Sequence, residues 1–390
     1  MKLRTKQNTT VLFWVFVFLE FFCIHSAVYS SSGILTTTPP IIPEKKVRIL
    51  LVPGHEPSEG GTQFGSIYER NLTVELAKNL QNLLNSDGKY EVFITRDTKS
   101  WYPNFSDYFT VHGNEIKQWQ ESSELNASKI VSTASSSISV VNAAPAEVAL
   151  RLYGITKWAN ENNIDLVLHI HINDDADHRK NVAGDYSGIA IYTPAMQYSN
   201  GSSTKQIADA VFSRLSQYNP VSNFPSESNG IVVDPELIAV GVYNTAISAS
   251  MLIEYDYIYQ PQFLISQTRT LALKDFAYQT YLGLQDYFDK INGVSSYLPY
   301  NPSFLYKWNT PVTGKYSASK NIYALQTAMI LAGVYPPAGK NMNDCPRSGI
   351  FGICTKTSLL SFQIKNGIKN ESYGGKKTFK MLSAVYMSGK

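Results

Sequence analysis

The chain has 390 residues, 44% of them hydrophobic and 17% charged, with a formal net charge of +3. That length holds about two domains and a tail, and the apolar share excludes a chain disordered throughout. The near-balanced charge withholds the basic face that a nucleic-acid partner requires, while 25 tyrosines suit a surface that grips polar polymers such as glycans.

Lys2, Arg4 and Lys6 precede the apolar run VLFWVFVFLEFFCIHSAV, and VYS, ending at Ser30, offers small residues for cleavage. Residues 1–30 read as an export signal, or as a membrane anchor where they are retained. Glu20 interrupts the run and weakens the anchor. The expected location is the periplasm, the cell wall or the extracellular space, with membrane contact only through this segment. Residues 31–46, SSGILTTTPPIIPEKK, read as a linker.

VRILLVPG is a short apolar strand ended by Pro-Gly. NLTVELAKNLQNLLNSDG predicts a helix with Leu72, Leu76, Leu80, Leu83 and Leu84 on one face, closing at Asp87-Gly88. YEVFITR is the next strand, and strand–helix–strand is the signature of a parallel sheet. Residues 98–145 break that rhythm, first aromatic and turn-rich, then nearly charge-free, and read as a long irregular insertion. The pattern resumes with helix AEVALRLYGITKWANENN, strands IDLVLHIHIN and SGIAIYT, helix TKQIADAVFSRLSQY, strand ASMLIEYDYIY and helix QTRTLALKDFAYQTYLGLQDYF. Gly and Pro near residues 291–303 mark a boundary. Beyond it SASKNIYALQTAMILAGVYPP, GIFGICTKTSLLSFQIKNGI and KKTFKMLSAVY predict three helices with no acidic or histidine cluster. That segment reads as a binder. In an exported chain Cys345 and Cys354 are expected to form a disulfide.

Of six histidines, His55, His169, His171 and His178 lie outside the signal and the insertion. Side-chain alternation puts His169 and His171 on one face of their strand. His55 lies just past the end of another strand, where ligands gather in open α/β sheets. Two histidines and a carboxylate at strand ends match the ligand set of a catalytic zinc. Each residue alone has a plainer role: a hydrogen-bonded core histidine, or, for Glu69, a helix N-terminal charge. Asp174–Asp177 reads as a solvated loop. Glu254 stands in the apolar strand MLIEYDYI, where an unpaired charge is costly. It is either half of a buried ion pair or a general base.

The ordered combination is more specific. ILLVPGHEPSEGGTQFGSIYERNLTVELAKNL resembles the first motif of the zinc-dependent N-acetylmuramoyl-L-alanine amidases of bacterial cell walls (Amidase_3 type). VFITR, DLVLHIHIN, SGIAIYT and SMLIEYDYI follow in family order, so the resemblance spans roughly residues 47–290 apart from the insertion. It implies an α/β fold, a mostly parallel twisted sheet flanked by helices, with a small three-helix domain behind it. It also implies that His55, Glu69 and His171 bind zinc (Zn2+) and that Glu254 acts on the water. Asn173 completes the family's His-x-Asn with His171, and His169 is a candidate to support the ligands from behind.

This sequence departs from the family pattern in three places. EPSE stands in the glycine-rich sequence after the first histidine, Tyr255 and Asp256 replace the glycine and phenylalanine after the late Glu, and the insertion has no counterpart in short members. The C-terminal segment resembles the three-helix peptidoglycan-binding domain appended to such hydrolases.

The implied organisation is a signal or anchor (1–30), a linker (31–46), a catalytic domain (47–290) with an insertion at 98–145, a linker (291–303) and a peptidoglycan-binding-like domain (304–390). The implied reaction is hydrolysis of the amide between N-acetylmuramic acid and L-alanine in peptidoglycan. The insertion would block the zinc until a regulatory protein acting on residues 98–145 pulled it away, or would serve as a substrate-binding lid or a surface decoration. Two other readings fit the same residues: a noncatalytic wall-binding protein on a decayed amidase fold, and a zinc peptidase acting on wall peptides.

Overall fold

In a computed structural model of the chain, residues 45–133, 144–175, 178, 181–234, 236–241, 245–291, 319–369, 371 and 374–388 are described, all within one compact unit. The expected signal or anchor, nearly all of the first linker and most of the second lie outside the described residues. Among the described residues no helix is long and apolar enough to cross a membrane.

Strand β1 (Val47–Pro53) is buried from Ile49 onward, as expected of a strand covered on both faces. It continues into a small hairpin, β2 (Gln63–Phe64) and β3 (Ile67–Tyr68), and then into α1 (Glu69–Asp87). Helix α1 buries Leu72, Leu76, Leu80 and Leu84, with Leu83 partly buried beside them, and ends at Gly88 in the left-handed conformation. Strand β4 (Tyr90–Ile94) returns parallel to β1.

The insertion differs from its sequence reading. Much of it is helical, as α2 (Pro103–Val111) and α3 (Gly113–Thr133), leading to α4 (Ala146–Glu161). Pro103 occupies the first helical turn, where its missing N–H costs nothing, so a residue that read as a loop marker starts a helix. Phe105 is buried against Trp158, with ring centroids 4.7 Å apart, and Ile116 packs with Tyr153. These helices are part of the core, not a surface decoration.

The remaining elements are β5 (Leu166–Asn173), β6 (Ile189–Thr193), α5 (Gly201–Leu215), β7 (Ile231–Val233), β8 (Ala249–Tyr257), α6 (Pro261–Leu264) and α7 (Ser266–Ile291). The six-stranded sheet has the order β4-β1-β5-β8-β6-β7, parallel except where β6 meets β8. One face packs on α1, α5 and α7 through Leu51, Leu168, Ile170, Met251, Ile253 and their neighbours. The opposite face presents Leu50, Val52 and Val167 to Phe105, Ile155 and Trp158. By strand alternation His169, His171 and Glu254 belong to this second face, near the carboxyl ends of the central strands.

Three helices follow, α8 (Lys320–Leu331), α9 (Ile353–Lys365) and α10 (Lys376–Ser388), around a separate core that includes Leu325, Met329, Phe362 and Leu382. Cys345 and Cys354 are joined by a disulfide with Cα atoms 5.9 Å apart. The helices dock on the sheet unit through the buried pair Arg347–Asp275, and Asn343 exchanges two hydrogen bonds with the backbone of Val221.

Candidate metal centre

The loop after β1 and the start of α1 bring two polar side chains together, and β5 supplies a third. His55 Nε2 lies 2.8 Å from Glu69 Oε2, and His171 Nδ1 lies 3.1 Å from Glu69 Oε1. The ligating atoms of His55, Glu69 and His171 all lie within 4.8 Å of one another. The backbone N–H groups of Thr62 and Ile172 also donate to Glu69, at 2.9 and 3.1 Å. Burial alone would raise this carboxyl, but hydrogen bonds from both histidines and their charges hold it far below the usual range. Burial lowers His171, favouring the neutral ring that a metal requires.

Glycine makes room for this cluster. A β-carbon on Gly54 would stand 2.5–2.7 Å from three atoms of the His171 ring, and one on Gly61 would stand 2.8 Å from His55 and 3.1 Å from Glu69. His55 itself adopts a positive φ of 67°. Arg96, fully buried at the end of β4, donates to the carbonyls of Pro53 (3.2 Å), Gly54 and Arg70 (3.2 Å). One guanidinium thereby ties the strand end that carries His55 to the helix start that carries Glu69. Burial lowers that guanidinium to about 10.

Glu254 is the parallel ladder partner of His171 and faces the same side of the sheet. Its Oε2 is enclosed and finds no hydrogen-bond partner among the described residues. Burial raises its carboxyl well above the usual range, and the charges of Glu69 and Glu227 raise it further. The ion pair that its sequence context allowed is absent among the described residues.

His169 is buried two residues before His171 on β5, and burial, then the charge of His171, lowers it to about 3. Asn173 points elsewhere: its amide donates to both oxygens of Glu227, at 3.0 and 3.1 Å. Glu227 is buried and also accepts from Tyr192, Ser222 and Tyr257. Sequence reasoning missed it because NFPSESNG looks like a solvated loop. His178 pairs with Asp174 at 2.9 Å, and His112 pairs with Glu115, so neither joins the cluster. A cavity of about 440 Å³ opens beside His55, His169 and His171, walled by Trp101, Leu152, Leu237 and Leu252.

The family profile of the N-acetylmuramoyl-L-alanine amidases (Amidase_3) matches residues 49–285, nearly all of the sheet and its helices, with the cluster inside it. The chain belongs to this amidase family.

Among solved structures, the amidase CwlD of Clostridioides difficile in complex with the GerS lipoprotein is similar at 15% identity and a TM-score of 0.43, covering 63% of this chain and 100% of that one. An N-acetylmuramoyl-L-alanine amidase of Clostridium difficile 630 is similar at 17% identity and 0.39, covering 63% and 98%. The amidase Ami1 of Mycobacterium smegmatis is similar at 13% identity and 0.42, covering 63% and 97%. No curated protein matches the sequence. As an amidase of this family, the chain hydrolyses the bond between N-acetylmuramic acid and L-alanine in peptidoglycan.

Proposed function

We propose that the amidase works with zinc held by His55, Glu69 and His171. The observation that carries this reading is their convergence within 4.8 Å from a loop, a helix start and a strand. The donor set fits the ion: two imidazoles and a carboxylate are a familiar catalytic zinc triad, with one position left for water or substrate. A zinc ion bound there would polarise the scissile carbonyl and acidify a water.

The chain's own residues would do the rest. Glu254 stands beside His171 with an oxygen that has no partner among the described residues and with a raised proton affinity. It would take the proton from the attacking water and return it to the leaving amine, with no covalent intermediate. Arg96 holds the two ligand-bearing segments in register, and the cavity beside the histidines admits part of the substrate.

The C-terminal helices would hold the enzyme on its polymer and raise its effective concentration there. Ile353, Leu360 and Ile364 lie exposed on α9, at 75%, 42% and 79%, and offer an apolar contact face. Residues 1–30 would direct export to the wall, where peptidoglycan lies.

Mass spectrometry of fragments released from purified peptidoglycan, with and without a chelator, tests the reading. The expected result is free stem peptide beginning at L-alanine, abolished by the chelator and restored by zinc. Glu254→Gln should lower turnover by about 10²–10⁴-fold while zinc still binds. Normal release by zinc-loaded Glu254→Gln enzyme would remove Glu254 from the mechanism, and chelator-resistant release would remove zinc.

A further inference from the structure

We propose that Glu56 is a positioning residue for His55, fixing the left-handed turn that aims the imidazole at Glu69. Its consequence for metal affinity rests on the zinc reading above. A positive φ is strained for a non-glycine residue and persists only where the surroundings over-determine it. Ahead of His55, Arg96 holds the carbonyls of Pro53 and Gly54. Behind it, Ser58 to Gly61 are exposed, and the buried Glu56 is the polar anchor on that side.

Each oxygen of Glu56 has its own donor. Arg151 Nε, on α4, donates to Oε1 at 2.8 Å, and Trp101 Nε1, at the start of the insertion, donates to Oε2 at 3.1 Å. The donors are themselves held in place. Trp101 forms a backbone bridge with Arg96 and packs edge-on against Phe109, with centroids 5.2 Å apart. The bridged pair therefore grips the His55 turn twice, Arg96 through the backbone before it and Trp101 through the side chain after it. Glu56 opens the EPSE sequence that stands in the family's glycine-rich stretch. Its two donors come from the insertion and the helix that follows it, so the extra segment has a direct hold on a metal ligand.

Zinc affinity of the full chain, measured by competition with a chromophoric chelator, tests the role. Glu56→Ala is expected to weaken affinity by about 10–100-fold, the usual effect of losing a group that orients a ligand. Arg151→Met and Trp101→Phe should each weaken it in the same direction. The double variant Glu56→Ala/Arg151→Met should be no worse than Glu56→Ala alone, since Glu56→Ala already removes the Arg151 contact. In a crystal structure of metal-free Glu56→Ala protein, His55 should leave the left-handed region and move out of hydrogen-bonding distance of Glu69.

Wild-type affinity in folded Glu56→Ala protein overturns the assignment, as does a His55 ring that stays in place. A lowered Tm of the metal-free variant with unchanged affinity also overturns it, because that is what a purely structural pair would give. If Glu56→Ala does not fold, zinc affinity and the His55 position in Arg151→Met protein support or overturn the role in the same way. A wild-type chain that takes up no zinc counts against the metal reading, and the metal-free crystal structure then decides the role of Glu56 by itself.

Discussion

Gly54 has an ordinary backbone, yet no other residue fits there, because the His171 ring fills the space a β-carbon would take. Gly54→Ala should force that ring aside and weaken zinc binding by about tenfold or more, while the buried strand keeps the protein folded. A zinc titration alongside a thermal melt checks this: unchanged affinity in the folded variant would mean that the ring shifts at no cost. His55, Glu69, His171 and Glu254 were legible in the sequence because a Pro-Gly-His turn, a helix start and two strands in family order mark them. Glu56, Arg96 and Glu227 were not. Each acts through partners far along the chain, as Glu56 does with Arg151 at a separation of 95 residues, and neither local pattern nor periodicity records such a pairing. Asn173 shows the converse. Its motif was visible, but the carboxylate it serves was hidden in a loop.

At the scale of elements, the strands and the long helices follow from periodicity, whereas the irregularities that tune them do not. The register of β5 with β8 shifts beyond His171 and Glu254, and Asp256 sits within that bulge at a φ of 96°. Its carboxylate accepts from the N–H groups of Gly188 (2.6 Å) and Tyr257 (2.9 Å) and from Gln262 (2.7 Å), which together hold the conformation. Burial nevertheless raises Asp256 from 3.8 to about 6. The folded state thus binds this proton more tightly than the unfolded one. The stability the group contributes is fully present below about pH 3.8 and is lost as pH rises through about 6. Asp256→Asn keeps the acceptor for both N–H groups and, with the Gln262 amide reversed, the third bond. Relative to wild type it should gain stability between pH 5 and pH 8, by at most about 3 kcal/mol. Thermal melts of both proteins across that range test the sign, and a difference that does not change with pH would contradict it. The insertion failed as a sequence reading for a related reason: its aromatic side chains looked like loop punctuation until the α4 face of the sheet was there to bury them.

At the scale of the whole molecule, the order of catalytic and helical segments was legible, but the contact between them was not. Arg347 lies in a Cys-Pro-Arg-Ser-Gly stretch with nothing to announce that its guanidinium is buried on Asp275 and Asn219. Arg347→Met would leave Asp275 buried without its cation and should destabilise the protein by about 3–5 kcal/mol. Replacing both partners by leucine should recover most of that, and calorimetry of single and double variants measures the difference. A docked helical unit also constrains how the polymer-binding proposal can be tested. Cutting the chain at the linker would uncover Asp275 and confuse loss of binding with loss of stability. Charges placed on the exposed face of α9 avoid this, because Ile353 and Ile364 are 75% and 79% exposed and contribute little to the core. Ile353→Asp with Ile364→Lys should lower the share of enzyme that sediments with insoluble peptidoglycan, and turnover of insoluble wall should fall with it. Turnover of a soluble muramyl peptide should fall much less, since such a substrate reaches the His55–Glu69–His171 cluster without being held by the helices. Equal losses on both substrates would place these helices in catalysis or stability, and undiminished sedimentation would move the grip on the polymer to another surface.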